Sequence, residues 1–318
     1  MARVEATYTP KVAKGLRTGS GQAGVVRRLL GTDWRLGWLL VGPVFLILMA
    51  LLIYPFFDAI LLSFQSRFIG KAGAWVGFRN YTDLFTNPNS HFLKAAANTV
   101  VITGGAIVGK FFIGTAMACV LNQHIRLKNL WRGVMFLPWA VPAVVTAYAW
   151  RFLFDTSGPI NGAIARFQLR DDYIYFFNDA KIALPALILV IIWSGTPFWT
   201  MNILAGMQAI PSELYEAAEL DGAGTFQRFI YITMPSLKHV FFVTALLSTI
   251  WTSANLIQIL ILTGGGPNYS TMTLPLLAYL VAIPGTRLGG GAAIAMTMVP
   301  AYLILVYFLT RQMLRTQE

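Results

Sequence analysis

Six long apolar runs divide the chain, at roughly 36–57, 98–121, 133–154, 183–208, 240–262 and 289–310. Each is close to the ~20 residues that a helix needs to cross a bilayer's hydrocarbon core. Their apolar character is continuous rather than alternating, which predicts spanning helices and not strands. A further stretch, Thr273 to Ile283, is too short to span. It lies between "TGGGP" and "PGT" and reads as an interfacial or re-entrant helix. The expected fold is an all-α integral membrane protein with six transmembrane helices.

The spans carry polar and helix-breaking positions of their own. The third contains "FLPWAVPAVVTAYAW", with Pro138 and Pro142, and the fourth "IIWSGTPFWTMN", with Gly195 and Pro197. Proline removes a backbone donor and kinks a helix. Carbonyls freed in this way inside a bilayer need a neighbouring helix or a watery cavity. The fifth span holds Ser248, Thr249, Thr252, Ser253, Asn255 and Gln258. In a continuous helix, Ser248, Thr252 and Asn255 share one face. Such a face is either glue between helices or the wall of a pathway, and a kinked, aromatic partner favours the pathway. Trp193, Phe198, Trp199 and Trp251 sit among these polar groups. Aromatic rings beside hydroxyls and amides suit a carbohydrate, whose ring faces stack on them. The alternative is an interfacial aromatic belt, which the mid-span positions of Trp193 and Trp251 argue against. Lys110 lies deep in the second span. A charge there is either paired, with a carbonyl, Asp or Glu of another helix or subunit, or part of a pathway.

Composition agrees with the pattern. Of 318 residues 56% are hydrophobic and only 12% charged, against about 25% charged in an average soluble protein. The net charge of +11 comes without any nucleic-acid recognition motif. Basic residues in loops beside spans are instead what membrane topology requires. Six spans put both termini on one side, and the basic loop Gln123–Arg132 marks that side as cytoplasmic. The polar, basic residues 1–35 lack the early apolar core and small-residue cleavage site of a secretory signal and read as a flexible cytoplasmic tail. One cysteine, Cys119, excludes an internal disulfide. His91, His124 and His239 are scattered, and no metal-ligand spacing, nucleophile elbow or Walker sequence occurs. Neither catalytic residues nor a metal site are therefore expected. With Lys110 as the clear intramembrane charge, a stand-alone secondary transporter is a distant alternative.

One polar segment interrupts the apolar pattern: "YEAAELDGAGTFQRF", residues 215–229, in a loop of about 209–238 that this topology places in the cytoplasm. Ser212, behind Pro211, is positioned to cap a short helix. Glu213, Glu216 and Glu219 suit the dipole at its start, and Ala217 and Ala218 leave a smooth surface for close approach. Asp221-Gly222 ends the helix, and "GTFQRFIYI" begins a second one that returns to the membrane at Met234-Pro235. A compact helix–turn–helix at a membrane surface is a docking element.

The segment "EAAELDGAGTFQRFIYITMP" closely resembles the EAA loop of ABC importer permeases. Glu216, Ala217, Ala218, Asp221, Gly222, Ala223, Phe229, Ile232 and Pro235 fit that motif, and Met234 stands where a leucine is usual. "VGFRNYTDLF" (76–85), "LPWAVPAVVTAYAWRFLF" and "ILTGGGPNYSTMTLPLLAY" (261–279) resemble the carbohydrate branch, in particular its maltose-transporter-like first permease. The resemblance covers most of 36–318, taken as one permease domain. It implies a second homologous permease, two ATPase subunits that bind ATP and magnesium, an extracytoplasmic solute-binding protein, and import of a di- or oligosaccharide through a bacterial or archaeal cytoplasmic membrane by alternating access. It assigns ATPase coupling to Glu216, Ala217, Ala218, Asp221, Gly222 and Ala223. It places Gly195, Phe198, Ser248, Trp251, Thr252 and Asn255 along the substrate pathway. Of these, Gly195 and Ser248 keep the maltose transporter's identities, so the resemblance implies a sugar without saying which. Glycerol phosphate, a polyol or another polar solute is the alternative cargo, and the isolated subunit is not expected to be an enzyme.

Overall fold

The computed structural model describes residues 34–169 and 172–314. The expected cytoplasmic tail lies outside the described residues apart from its last two positions. The described chain divides into two compact units, one ending at Asp58 and the other beginning at Ala59.

The described part of the first unit is helical throughout. Helix α1, Trp34–Leu48, runs through a wider π-helical turn at Met49–Ile53 into α2, Tyr54–Ser63. Its large apolar side chains, among them Leu39, Leu46, Leu51 and Leu52, are exposed. An apolar helix with no buried stripe is dressed for lipid rather than water.

The second unit takes in the last residues of α2 and continues with a hairpin of two-residue strands, β1 (Gln65–Ser66) against β2 (Ala74–Trp75), followed by α3 (Arg79–Thr86). The long helices are α4 (Phe92–Asn122) and, later, α8 (Ala180–Gln208). Between them come α5 (Lys128–Ala140), α6 (Ala143–Leu153) and α7 (Pro159–Arg166). After α8 come α9 (Ser212–Leu220), α10 (Thr225–Arg228) and α11 (Met234–Ser236), with a π-helical turn at Phe229–Thr233 between the last two. The chain then forms α12 (Lys238–Ser253), α13 (Ile257–Leu262), α14 (Leu274–Ala282), α15 (Leu288–Met296) and α16 (Met298–Leu314).

Helices α4 and α8 form the central pair. Gly109 lies so close to α8 that an added Cβ would stand 2.8 Å from Ile192 Cγ1. Small residues at such contacts let backbones approach where no hydrophobic effect drives association. Two apolar cores flank this pair. One joins Ile102 and Ala106 to Leu187, Val190, Ile259 and Leu276. The other joins Ala118 and Leu121 to Trp199, Ile203, Leu237 and Phe241.

Among the described residues four helices are long and apolar enough to cross a membrane: Gly37–Ser63, Phe92–Asn122, Ala180–Gln208 and Leu288–Gln312. The total is up to six if each of two bent pairs counts as one span. The expected third span is one of those pairs, α5 and α6 meeting at 93°. Val141 is extended and Pro142 occupies the N-cap of α6, as the steric demand of proline on its predecessor requires. Pro138, Pro185 and Pro197 stay inside unbroken helices. The expected fifth span is also discontinuous: α12 meets the segment before it at 67°, and stops at Ser253 before α13 begins. Ser253 Oγ donates to the Ile250 carbonyl at 3.1 Å, and the Gln258 N–H donates to Asn255 Oδ1 at 3.3 Å. Such local side-chain bonds compete with helix propagation. Helix α14 is too short to span, but it is no surface helix: no residue from Thr271 to Ala282 is exposed.

Candidate functional site

The expected pathway residues come from helices on either side of the polar loop. Gly195 and Phe198 lie on α8, Ser248, Trp251 and Thr252 on α12, and Asn255 in the break that follows it. All six line a single cavity of about 530 Å³, together with Lys110 of α4 and with Trp139, Ser194 and Gln258. Asn255 is therefore not the third member of a continuous helical face. The break carries it to the cavity, where its Nδ2 donates to Gln258 Oε1 at 2.6 Å, and Gln258 Nε2 donates to Ser194 Oγ at 3.2 Å.

Lys110 spans the gap from α4 to α12. Its Nζ donates to Thr252 Oγ1 at 2.8 Å and, at 3.4 Å, to Ser248 Oγ. The side chain is only 4% exposed. Within this chain its partners are thus a pair of hydroxyls. The cation is fitted into the space left by Gly195, where a Cβ would lie 2.6 Å from Nζ.

The aromatic residues divide. Phe198 and Trp251 meet edge to face at the cavity, ring centroids 4.7 Å apart. Trp199 is 1% exposed and belongs to the second core, edge-on to Phe111, with its indole N–H donating to Thr115 Oγ1 at 3.3 Å. Trp193 packs edge-on to Trp150 and lines a different, largely apolar pocket with Pro138 and Pro197. Neither belongs with the cavity. Ser194 and Gln258 do. Gln258 was visible as a mid-span amide, and Ser194 as the neighbour of Gly195, but neither stands on the face that helical spacing singles out.

The loop folds as a helix–turn–helix. Pro211, not Ser212, is the N-cap of α9, and Ser212 is already helical and makes no capping bond. At the other end Asp221 is the C-cap, and Gly222 turns the chain with φ +78°. The Ala223 N–H donates to the Ala218 carbonyl at 2.8 Å and the Gly222 N–H to the Glu219 carbonyl at 3.0 Å. This is the paired-bond ending that glycine favours. The Gly224 N–H donates to Gln227 Oε1 at 2.8 Å and opens α10. Two links hold the arms together: Arg228 to Glu219 at 2.7 Å, and the Tyr215 hydroxyl to Thr233 Oγ1 at 2.9 Å. Glu216, Ala217, Asp221 and Gly222 are exposed, and Ala218 and Ala223 half-buried. Leu220, 91% exposed, and Phe226, 75%, stand out from the same surface.

Among the described residues no group of three or more His, Cys, Asp or Glu is placed to hold a metal. The chemistry of the cavity is therefore that of hydroxyls, amides, aromatic edges and one ammonium.

Residues 110–316 match the model of the binding-protein-dependent transport system inner membrane component. The chain belongs to that family. It is a membrane-embedded permease subunit of an ABC importer and resides in the inner membrane. Its relatives include the permease of a sulfoquinovosyl glycerol transport system from Agrobacterium fabrum, 33% identical over 302 residues, covering 94% of this chain and 92% of that protein. They also include the permease of a trehalose/maltose transport system from Thermococcus litoralis, 32% identical over 248 residues, covering 77% of this chain and 82% of that one. The fold of this permease is that of a bacterial ABC transporter involved in the import of the acidic polysaccharide alginate. That likeness has a TM-score of 0.76 at 22% identity and covers 93% of this chain and 99% of the other.

Proposed function

We infer that this permease imports a sugar, a di- or oligosaccharide, and that the cavity between α4, α8 and α12 is its passage. The observation that carries this reading is the convergence of Gly195, Phe198, Ser248, Trp251, Thr252 and Asn255 on one cavity large enough for a small ligand. An aromatic pair beside hydroxyls and amides suits a sugar's apolar faces and hydroxyl rim. The names of the Agrobacterium and Thermococcus relatives, both carbohydrate transport permeases, support the same class.

The loop supplies the drive. Residues Glu216 to Ala223 form the surface that one of the two ATPase subunits grips, and those partners, not this chain, bind ATP and magnesium. The loop joins α8 and α12, two of the helices that line the cavity. Phe198 lies about 15 Å along the axis from the end of α8 at Gln208. Ser248 lies a similar distance, roughly 15 Å, beyond the start of α12. Rotation of α9 by a closing ATPase therefore acts on both cavity walls together, the lever that alternating access requires. A second homologous permease completes the passage, an extracytoplasmic binding protein delivers the sugar, and both termini face the cytoplasm. The subunit alone performs no catalysis.

Reconstitution of the complete transporter in proteoliposomes tests this reading. Trp251→Ala and Asn255→Leu should weaken uptake of a labelled disaccharide without releasing the ATPase subunits. Glu216→Lys should leave sugar binding intact and abolish transport-coupled ATP hydrolysis. Unaltered uptake in all three variants overturns the assignment.

A further inference from the structure

We propose that the cavity is built for an anionic glycoside, a sugar bearing one carboxylate, sulfonate or phosphate group, and that the Lys110 ammonium is the residue that selects it. The inference rests on the reading of that cavity as the substrate passage.

Lys110 is the one formally charged side chain among the residues that line the cavity. Among the described residues no carboxylate answers it. Helices α4, α5, α6, α8, α12 and α13 contain no Asp or Glu, and the ion pair between Arg228 and Glu219 belongs to the distant loop. Its bonds run to two neutral hydroxyls, one of them at the long limit of 3.4 Å. An ammonium carries three donors, so at least one remains for a ligand. A cation buried without a counter-ion is costly unless something repays its desolvation. The fold makes room for it nonetheless: α8 carries glycine where any side chain would collide with the lysine.

A neutral sugar gives no reason for this arrangement. An anionic one does, because it brings the missing charge as cargo and takes it away on release. Ser248 and Thr252 hold the ammonium at the wall with their hydroxyl oxygens. Phe198 and Trp251 present ring edges and faces to the sugar ring. Asn255 and Gln258 supply amides for its hydroxyls. The negative group thus meets Lys110 and the uncharged body meets the aromatic pair, which fixes the orientation as well as the class.

The test uses the complete transporter in detergent, without its binding protein, so that selectivity read there is the permease's own. The probes are matched pairs, methyl glucoside against methyl glucuronide and against its 6-sulfonate and 6-phosphate analogues. At least one anionic member should bind about tenfold or more tightly than the neutral one, the scale of a single charge-assisted hydrogen bond. Lys110→Met should erase that preference while neutral binding survives, and Lys110→Arg should keep part of it. Thermal unfolding of each variant, measured alongside, shows that the fold is retained, and the arginine variant carries the test if the methionine variant unfolds. Neutral and anionic members binding alike would overturn the inference, as would a preference that outlasts removal of the charge. A lysine already paired with a carboxylate of the second permease gives the first of these results. In both cases the sugar passage itself stands. Uptake of a disaccharide that is indifferent to Trp251→Ala and Asn255→Leu instead removes the passage and the inference together.

Discussion

Gly195 has no side chain at the point where Lys110 crosses from α4 to α12: a Cβ there would collide with Lys110 Cε. The glycine and the lysine therefore occupy one space between them. Gly195→Ala should displace the ammonium from Thr252 and lower stability by about 1–3 kcal/mol, the usual range for overpacking. Lys110→Ala should relieve the clash, so the double variant should be more stable than the two single losses add up to. Thermal unfolding in detergent across the four proteins of this cycle checks the coupling.

The hydroxyl of Thr252 is the short, 2.8 Å acceptor for Lys110. Thr252→Val keeps the shape and removes the oxygen, leaving the cation with the distant Ser248. A loss of about 1–3 kcal/mol is expected, as for a buried polar group deprived of its partner. Thr252→Ser keeps the oxygen and should stay close to wild type. Denaturation midpoints of the two variants, measured side by side, separate the hydroxyl from the methyl group.

Two neighbouring aromatics should behave in opposite ways. Trp199 is buried in the second core and Trp251 is 54% exposed at the cavity. Trp199→Ala should cost about 3–5 kcal/mol, the usual loss for a buried aromatic, and reduce the yield of folded protein. Trp251→Ala should leave the unfolding temperature nearly unchanged and raise the sugar concentration needed for half-maximal uptake.

Gly222 holds φ at +78° to end α9. A β-branched residue resists that conformation, so Gly222→Val should cost about 1–2 kcal/mol locally. The expected readout is loss of ATPase stimulation by the sugar-loaded binding protein while the helical circular dichroism persists. Gly222→Asn should be milder, since asparagine tolerates the left-handed region.

The span pattern made the helices legible, because twenty consecutive apolar residues have few other uses. The family resemblance placed Gly195, Phe198, Ser248, Trp251, Thr252 and Asn255 along the pathway, and all six line one cavity. What the span pattern missed came from places where local bonding overrides period. The helix stops after Ser253 because Asn255 binds Gln258, a three-residue event that no periodicity records. Pro142 marked the kink in the third span but not its 93°, which depends on packing across helices. Trp199 was grouped in sequence with Phe198 and Trp251 among the polar groups, yet one residue turns a helix by about 100°, and that rotation sends it to the core instead. The hydroxyls that receive Lys110 within this chain, Ser248 and Thr252, lie more than a hundred positions away from it, a contact that no local pattern records.

Leu220 and Phe226 stand in the open on a loop that is otherwise tightly braced. On the proposed coupling role, a docked ATPase covers them in the assembled importer. A copy made in excess has nothing to cover them, and large apolar side chains displayed on the watery side of a membrane are what chaperones and proteases bind. On that same proposal the membrane face of an unassembled subunit differs from that of an assembled one by two bare apolar side chains, so docking changes what the loop displays as well as what it transmits.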